Sequence, residues 1–239
     1  MRAVPSRPTG LVAWALVQPA SAPAYPSIKE PGPAGFQEEA YLLAKRAVDV
    51  VVSVLLLAIS WPVMLLTTLA VKLTRPGPTL FAQRRAGLHG RPFVMYRFRS
   101  MREGAEEARS DLRCWNDLPG GPCFKTRQDP GLTPIGRFLR QTTIDELPQI
   151  FNVLKGEMSL VGPRPLPLTE VRADTPAERA RLAVLPGLTC LGQISGRSEI
   201  PYDEWLLLDS YYVQHRSLFL DLEILLKTVP AVLSRRGAF

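Results

Sequence analysis

Residues Thr142 to Pro165 read TTIDELPQIFNVLKGEMSLVGPRP, and the rest of the chain is organised around them. Two adjacent carboxylates, Asp145 and Glu146, follow a pair of threonines. The spacing of Thr143 and Glu146 predicts a capping box for a helix beginning near Ile144, and Gly156 after Lys155 predicts its end. Pro148 fits such a helix only within or near its first turn. At helical spacing Asp145, Gln149 and Asn152 share one face, while Ile144, Leu147, Ile150, Phe151 and Leu154 form the other. The acidic pair therefore stands on a polar wall at a helix N-terminus, where the helix keeps a carboxylate ionised and also attracts phosphate. A carboxylate nucleophile beside a carboxylate that holds Mg2+ suits this pattern, because the metal neutralises phosphoryl charge that otherwise repels the attack. Taken alone, the pair reads as favourable first-turn acids and nothing more. Pro163-Arg164-Pro165 tips the balance, since prolines on both sides stiffen the backbone that presents a bidentate guanidinium.

DELPQIFNVLKGEMSLVGPRP resembles the signature of the bacterial sugar transferases, the monotopic polyprenyl-phosphate phosphoglycosyl transferases. The similarity runs from about Lys45 to Phe239 and takes in KRAVD, RPGPTLFAQRRAGLHGRPF, YRFRSM, PGLTCLGQISGR and the closing GAF, in that order. This resemblance implies an α+β, helix-dominated monotopic membrane protein with a re-entrant helix-break-helix, a small β-hairpin and amphipathic surface helices. The implied enzyme moves a sugar 1-phosphate from a UDP-sugar to polyprenyl (undecaprenyl) phosphate at the cytoplasmic face of the inner membrane, the first membrane step of glycoconjugate or polysaccharide assembly. By the same resemblance Asp145 attacks the sugar-bearing phosphorus. Glu146 holds Mg2+, with Asp145 a possible second ligand, and Arg164 contacts the nucleotide or its phosphates. Arg97, Arg99, Arg140, Arg197 and Gln149 are the further substrate-binding candidates. The chain departs from the family pattern at Trp61, where a serine often precedes the proline, and at Arg97, where lysine is common. It departs again at Gly131 and Pro134, where basic residues are frequent, and at Cys190 and Gly192, where glycine and tryptophan are frequent.

Composition agrees with anionic partners. The chain has 239 residues and a net charge of +7, with a pI near 9.6, which suits phosphorylated substrates, acidic membrane lipid headgroups or nucleic acid. A nucleic-acid binder leaves Val50 to Val71 unexplained, a stretch of 22 residues without a charge, so no nucleic-acid partner is expected. A non-enzymatic relative that kept only the fold predicts damage to the acidic pair, and the pair is intact. Cys114, Cys123 and Cys190 are odd in number and lack metal-ligand spacing, as expected of free thiols in a reducing compartment.

Taken in order, residues 1–38 form a Pro/Ala-rich tail, 39–73 a re-entrant membrane helix and 74–239 a cytoplasmic catalytic domain seated on the membrane face. Within the tail, LVAWALV followed by Ala-Ser-Ala imitates a secretory signal, although the apolar run is short and two prolines precede it. As one helix, Val50–Val71 reaches about 33 Å, enough to cross a bilayer. Pro62 near its middle removes a backbone donor and favours a bend, with Ser60 beside it. Lys45 and Arg46 flank one end; Lys72, Arg75, Arg84 and Arg85 flank the other. Basic residues on both sides draw both ends to the cytoplasmic face. A helix that dips in and returns satisfies both observations, and a kinked span is the alternative.

A hairpin is expected with strands near Thr79–Arg84 and Pro92–Phe98. In the second strand Val94, Tyr96 and Phe98 make an apolar face, and Met95, Arg97 and Arg99 a basic one. Further on come a solvated helix over Glu103–Asp111, a loop over Trp115–Gly121 and an exposed amphipathic helix over Glu170–Val184. PGLTCLGQISGR reads as a Gly-rich loop that lets backbone approach a ligand. Two amphipathic helices, Ile200–Val213 and Leu218–Leu233, pack on the core or lie in the membrane interface.

Overall fold

In the computed structural model the described residues are 35–74, 77–102, 130–172, 175–197 and 200–235. The expectations for most of the N-terminal tail, the 103–111 helix, the 115–121 loop, Cys114, Cys123 and the closing GAF lie outside them. Among the described residues the protein is helix-dominated and carries one small antiparallel hairpin.

Helix α1 (Phe36–Thr74) has Glu38 and Glu39 in its first turn, Lys72 in its last and Pro62 inside, a charge distribution that complements the helix dipole. By length and composition it is long and apolar enough to cross a membrane. Its buried residues flank the proline: Asp49 and Ser53 on one side, Thr67 and Val71 on the other. Between them Val54, Leu55, Leu56, Ile59, Trp61 and Val63 are exposed. Ser60 donates its hydroxyl to the Met64 sulfur at 3.8 Å.

Strands β1 (Leu80–Ala86) and β2 (Pro92–Phe98) pair antiparallel, from Leu80 opposite Phe98 to Ala86 opposite Pro92. The hairpin closes through a turn in which His89 and Gly90 take positive φ. The expected division of β2 into an apolar and a basic face fails. Phe93 and Met95 are buried on the face that also carries Arg97, whereas Val94 is 38% exposed. The basic face is the inward one, because Arg97 finds carboxylates there. Phe98 is buried on the opposite side, in a separate cluster with Val71 of α1 and Leu139.

Helix α2 (Pro134–Gln141) is capped by Thr133, whose hydroxyl accepts from the Gly136 amide. Helix α3 (Gln149–Lys155) stops at Gly156, which adopts φ 83°, as the sequence predicts. Strand β3 (Ser159–Val161) pairs in parallel with β4 (Gly187–Thr189), a second sheet the sequence reading missed. The expected Gly-rich ligand loop is instead β4 followed by helix α5 (Leu191–Ser195). Two of its three glycines serve packing: a Cβ on Gly187 would lie 2.1 Å from the Gly162 nitrogen, and one on Gly192 would lie 2.9 Å from the Trp205 indole nitrogen.

The long helix expected over Glu170–Val184 is also corrected. Among the described residues of that stretch the only α-helix is α4 (Pro176–Ala180), with a capping box between Thr175 and Glu178, and Glu178, Arg181, Leu182 and Val184 are buried rather than solvated. Helices α6 (Tyr202–His215) and α7 (Leu218–Leu233) follow close to the expected bounds. The main core gathers Phe93 and Met95 from the hairpin, Val153 from α3, Leu160 and Val161 from β3, and Tyr212 and Ile224 from the last two helices. This core fixes β2 against α3, and the cluster around Phe98, with Ile144 and Leu147 packed on it, holds β2 against the turn that precedes α3, where the candidate site lies.

Candidate active site

The capping box expected at Thr143 and Glu146 does not form. Thr143 sits in the left-handed region at φ 61° with no side-chain cap, and Ile144–Glu146 is a single 3-10 turn. Glu146 does donate its amide to the Thr143 carbonyl at 3.1 Å, but its carboxylate turns the other way, toward arginines. Helix α3 begins only after Pro148. The two acids thus stand on a tight turn ahead of the helix, and both are buried, Asp145 at 2% exposure and Glu146 at 5%.

Arg97 of β2 bridges the pair. Its Nη2 lies 2.7 Å from Asp145 Oδ2 and 2.7 Å from Glu146 Oε1. Arg164 donates to the same Glu146 oxygen at 2.7 Å. The loop that carries Arg164 is held to the hairpin, where Arg85 Nη1 donates to the Pro165 carbonyl at 2.9 Å and the Ala86 amide to the Leu166 carbonyl at 3.0 Å. Arg197, also in the left-handed region at φ 56°, donates to the Thr143 hydroxyl at 3.3 Å. Its buried Nε has no hydrogen-bond partner among the described residues.

Three arginines from three segments thus surround a buried aspartate-glutamate pair, in the sequence order YRF, DE, PRP, GR. The family model for bacterial sugar transferases matches residues 40–235. The chain belongs to the bacterial sugar transferase family. It is 42% identical over 199 residues to the undecaprenyl-phosphate galactose phosphotransferase of Salmonella typhimurium, covering 82% of this chain and 41% of that protein. It is 40% identical to the UDP-glucose:undecaprenyl-phosphate glucose-1-phosphate transferase of Caulobacter vibrioides, covering 82% and 72%. It is 38% identical to the exopolysaccharide production protein ExoY of Rhizobium meliloti, covering 82% and 88%. The chain spans less than half the length of several of the curated relatives it matches, the Salmonella protein among them.

The acidic pair is electrostatically unequal. Burial works against ionisation of Glu146, yet Arg164 and then Arg97 outweigh it and hold the carboxyl down at about 2. Asp145 goes the other way. Burial pushes it above the usual carboxylate range, the Glu146 charge adds to the rise, and Arg97 opposes it only in part. The more basic carboxylate is the better nucleophile and the more acidic one the steadier anion, so the two side chains suit two tasks.

Of the remaining candidates, Arg140 donates its Nε to Ser100 Oγ at 3.1 Å and its charge acts on Asp145. Arg99 packs its guanidinium against Gly77, where a Cβ would lie 2.7 Å from Nη1. Gln149 is 3% exposed, and its Nε2 has no partner among the described residues. Asn152 is locked: it accepts from the Tyr96 amide and donates to the Val94 carbonyl and Glu157, which ties α3 to β2. Arg85 is the site-building residue that sequence reasoning treated only as a membrane-flanking charge. Nothing in a basic hairpin strand distinguishes a side chain that grips another loop's carbonyl from one in solvent.

Each acid engages the arginines through one oxygen. These are Asp145 Oδ2 and Glu146 Oε1. No group of three or more His, Cys, Asp or Glu side chains occurs there among the described residues. Mg2+ is commonly held by one or two carboxylates, with substrate phosphate and water completing an octahedron. The donor set present fits that mode.

Proposed function

We propose that the protein is a phosphoglycosyl transferase that moves a sugar 1-phosphate from a UDP-sugar to polyprenyl phosphate through a covalent intermediate on Asp145. The observation that carries this reading is the pair of inequivalent buried carboxylates inside a cage of arginines. In the first step an Asp145 oxygen attacks the sugar-bearing phosphorus. The bond to the bridging oxygen breaks, and UMP leaves with the electron pair. In the second step an oxygen of polyprenyl phosphate attacks the same phosphorus, which frees the Asp145 carboxylate and yields polyprenyl diphosphosugar. Splitting one displacement into two lets a single site serve both anionic substrates in turn. Glu146, with Asp145 beside it, would hold Mg2+, which supplies charge neutralisation at the diphosphate. Arg164, with Arg97 and Arg197, stabilises phosphoryl charge, and Gln149 offers a further donor; Arg99 and Arg140 extend the basic surroundings.

The same reading places the catalytic domain at the cytoplasmic face of the inner membrane, seated on lipid headgroups with α1 as a re-entrant element. Contacts on both sides of Pro62 support it. Arg46 donates to the Val153 and Leu154 carbonyls at 2.6 and 2.8 Å, and Asp49 accepts from the Leu160 amide at 3.0 Å. Val71, beyond the proline, packs with Phe98 and Leu139. A helix that crossed the bilayer would carry one of these ends to the far side, away from the domain both ends grip. Polar caps at both ends with an apolar, exposed middle fit a segment that enters lipid and comes back.

The deciding experiment is UMP release by the purified chain across a panel of UDP-sugars. Release of up to one UMP per enzyme before any lipid is added, then turnover on adding polyprenyl phosphate, is the expected result. Strict dependence of the first UMP on lipid would overturn the covalent route, and silence across the panel would overturn the activity.

A further inference from the structure

Behind Arg164 lies a charged pair that the proposed chemistry does not use. Arg181 and Asp209 form an ion pair at 2.9 Å, with Arg181 at 6% exposure and Asp209 at 1%. As a source of stability such a pair is poor, since desolvating two charges offsets most of their attraction and an apolar pair of similar size serves as well or better. Its geometry suggests another use. Arg181 Nη2, the nitrogen that meets Asp209, also donates to the Arg164 carbonyl at 3.2 Å. The next carbonyl, of Pro165, takes Arg85 Nη1 at 2.9 Å. Two arginines from different segments therefore hold successive carbonyls of the Pro163-Arg164-Pro165 loop.

We propose that Arg181, fixed by Asp209, is the positioning residue that sets where the Arg164 guanidinium points, and so sets the affinity of the site for the diphosphate of a nucleotide sugar. The proposal rests on the functional reading above. Prolines on either side restrict φ of Pro163 and Pro165 and bias Arg164 away from the helical region, but they leave the orientation of the Arg164 peptide open. A hydrogen bond to its carbonyl removes that freedom. Arg181 can supply the bond because it leaves the end of α4, which packs on α6 through Glu178 and Tyr202, and α6 brings Asp209. The charge of Asp209 holds the donor in place without touching substrate.

The test separates positioning from stability by replacing the whole pair. In Arg181→Met/Asp209→Leu no buried charge is left alone, so the full chain in detergent is expected to melt at or above the wild-type temperature. Affinity for UDP, measured by calorimetry, is expected to fall roughly tenfold, the loss typical of one misplaced charge-assisted bond. Adding Arg164→Met to the double variant should cost no more than Arg164→Met alone, because Arg181 acts through Arg164. A folded double variant that binds UDP like wild type overturns the proposal, as does a triple variant whose losses multiply. If the double variant does not fold, Asp209→Asn carries the test, since it keeps the size and polarity of the side chain but removes the charge that holds Arg181. A loss of UDP affinity that vanishes in an Arg164→Met background supports the proposal, and unchanged affinity overturns it. Wild-type chain that neither binds UDP nor releases UMP from any UDP-sugar removes the functional reading itself, an outcome distinct from a working enzyme indifferent to Arg181.

Discussion

Two buried carboxylate clusters, one around Asp221 and one at Asp145–Glu146, are built on different terms. At the foot of α1, Asp221 accepts from Lys45 at 2.7 Å, Tyr41 at 3.1 Å and Tyr212 at 2.7 Å, so both of its oxygens are engaged. Tyr212 also donates to the Val161 carbonyl, and Arg216 pairs with Glu38 alongside. At the Asp145–Glu146 turn the acids meet Arg97 and Arg164 through one oxygen each, and buried donors on Arg197 and Gln149 lack acceptors among the described residues. The first cluster is complete as it stands and ties α1 to α6 and α7. The second leaves buried donors unmet among the described residues, as a site that receives an anion would.

Exchanging the roles of the two aspartates breaks this comparison most sharply. Asp145→Asn should abolish UMP release, by more than about 10^4-fold for loss of a nucleophile, while leaving the melting temperature unchanged or higher. Asp221→Ala should do the reverse in kind. Leaving Lys45 and two tyrosines without their shared acceptor costs about 3–5 kcal/mol, read as a lower melting temperature and proportionate loss of active protein. Thermal melts and single-turnover UMP release on both variants check the pair; an Asp145→Asn protein that keeps turnover removes Asp145 from the chemistry.

How far the sequence foretold this contrast depends on the range of the interactions involved. The acid pair, the Gly156 stop, the hairpin and the bounds of α7 rest on neighbours within a few residues, and they were readable. The capping box failed because Glu146 faces a better offer than the Thr143 amide: two guanidiniums, one 49 and one 18 residues away in sequence. The face of β2 was inverted for the same reason, since strand alternation puts Arg97 beside Met95 and only tertiary carboxylates make that the inner side. The β3–β4 pairing was hidden by its length of three residues per strand and by glycines that read as a flexible loop. The expected helix over Glu170–Val184 was shortened because Glu178 and Arg181 find buried partners. Charge alternation looks alike whether charges meet water or one another.

A second prediction uses pH to separate the members of the acidic pair. Without bound metal the Asp145 carboxyl titrates above the usual range, so in the metal-free chain its ionised fraction should fall on acidification at a pH above that of an ordinary aspartate. Stability should move the other way over that window. A carboxyl whose folded value is raised binds its proton more tightly in the folded state, so its stabilisation is present below the unfolded value and is lost as pH rises through the folded one. Glu146, held at about 2, adds stability above its unfolded value near 4.5 and loses it only as pH falls toward 2. Glu146→Gln should therefore lower the melting temperature at neutral pH, while Asp145→Asn should not. Melts of both variants from pH 4 to 8 give the comparison, and equal shifts in the two would contradict the assigned inequality.

The smallest expected effect repeats the contrast within one turn of α3. Asn152 and Gln149 are neighbours on the same buried face, and their amides are treated oppositely. The Asn152 amide has partners on β2 and Glu157, whereas Gln149 Nε2 has none among the described residues. Losing a satisfied buried amide strands its partners, so Asn152→Leu should destabilise by about 1–3 kcal/mol. Replacing an unsatisfied one relieves a desolvation penalty, so Gln149→Leu should leave stability unchanged or raise it by about 1 kcal/mol. If the Gln149 amide is there to meet substrate, the gain in melting temperature should come with a several-fold rise in KM for the UDP-sugar and little change in kcat, as expected for a contact made equally in ground and transition states. Loss of stability in Gln149→Leu would mean that the amide already has a partner and belongs with Asn152. A gain in stability with KM unchanged would leave the unmet donor without a ligand and take Gln149 out of the site.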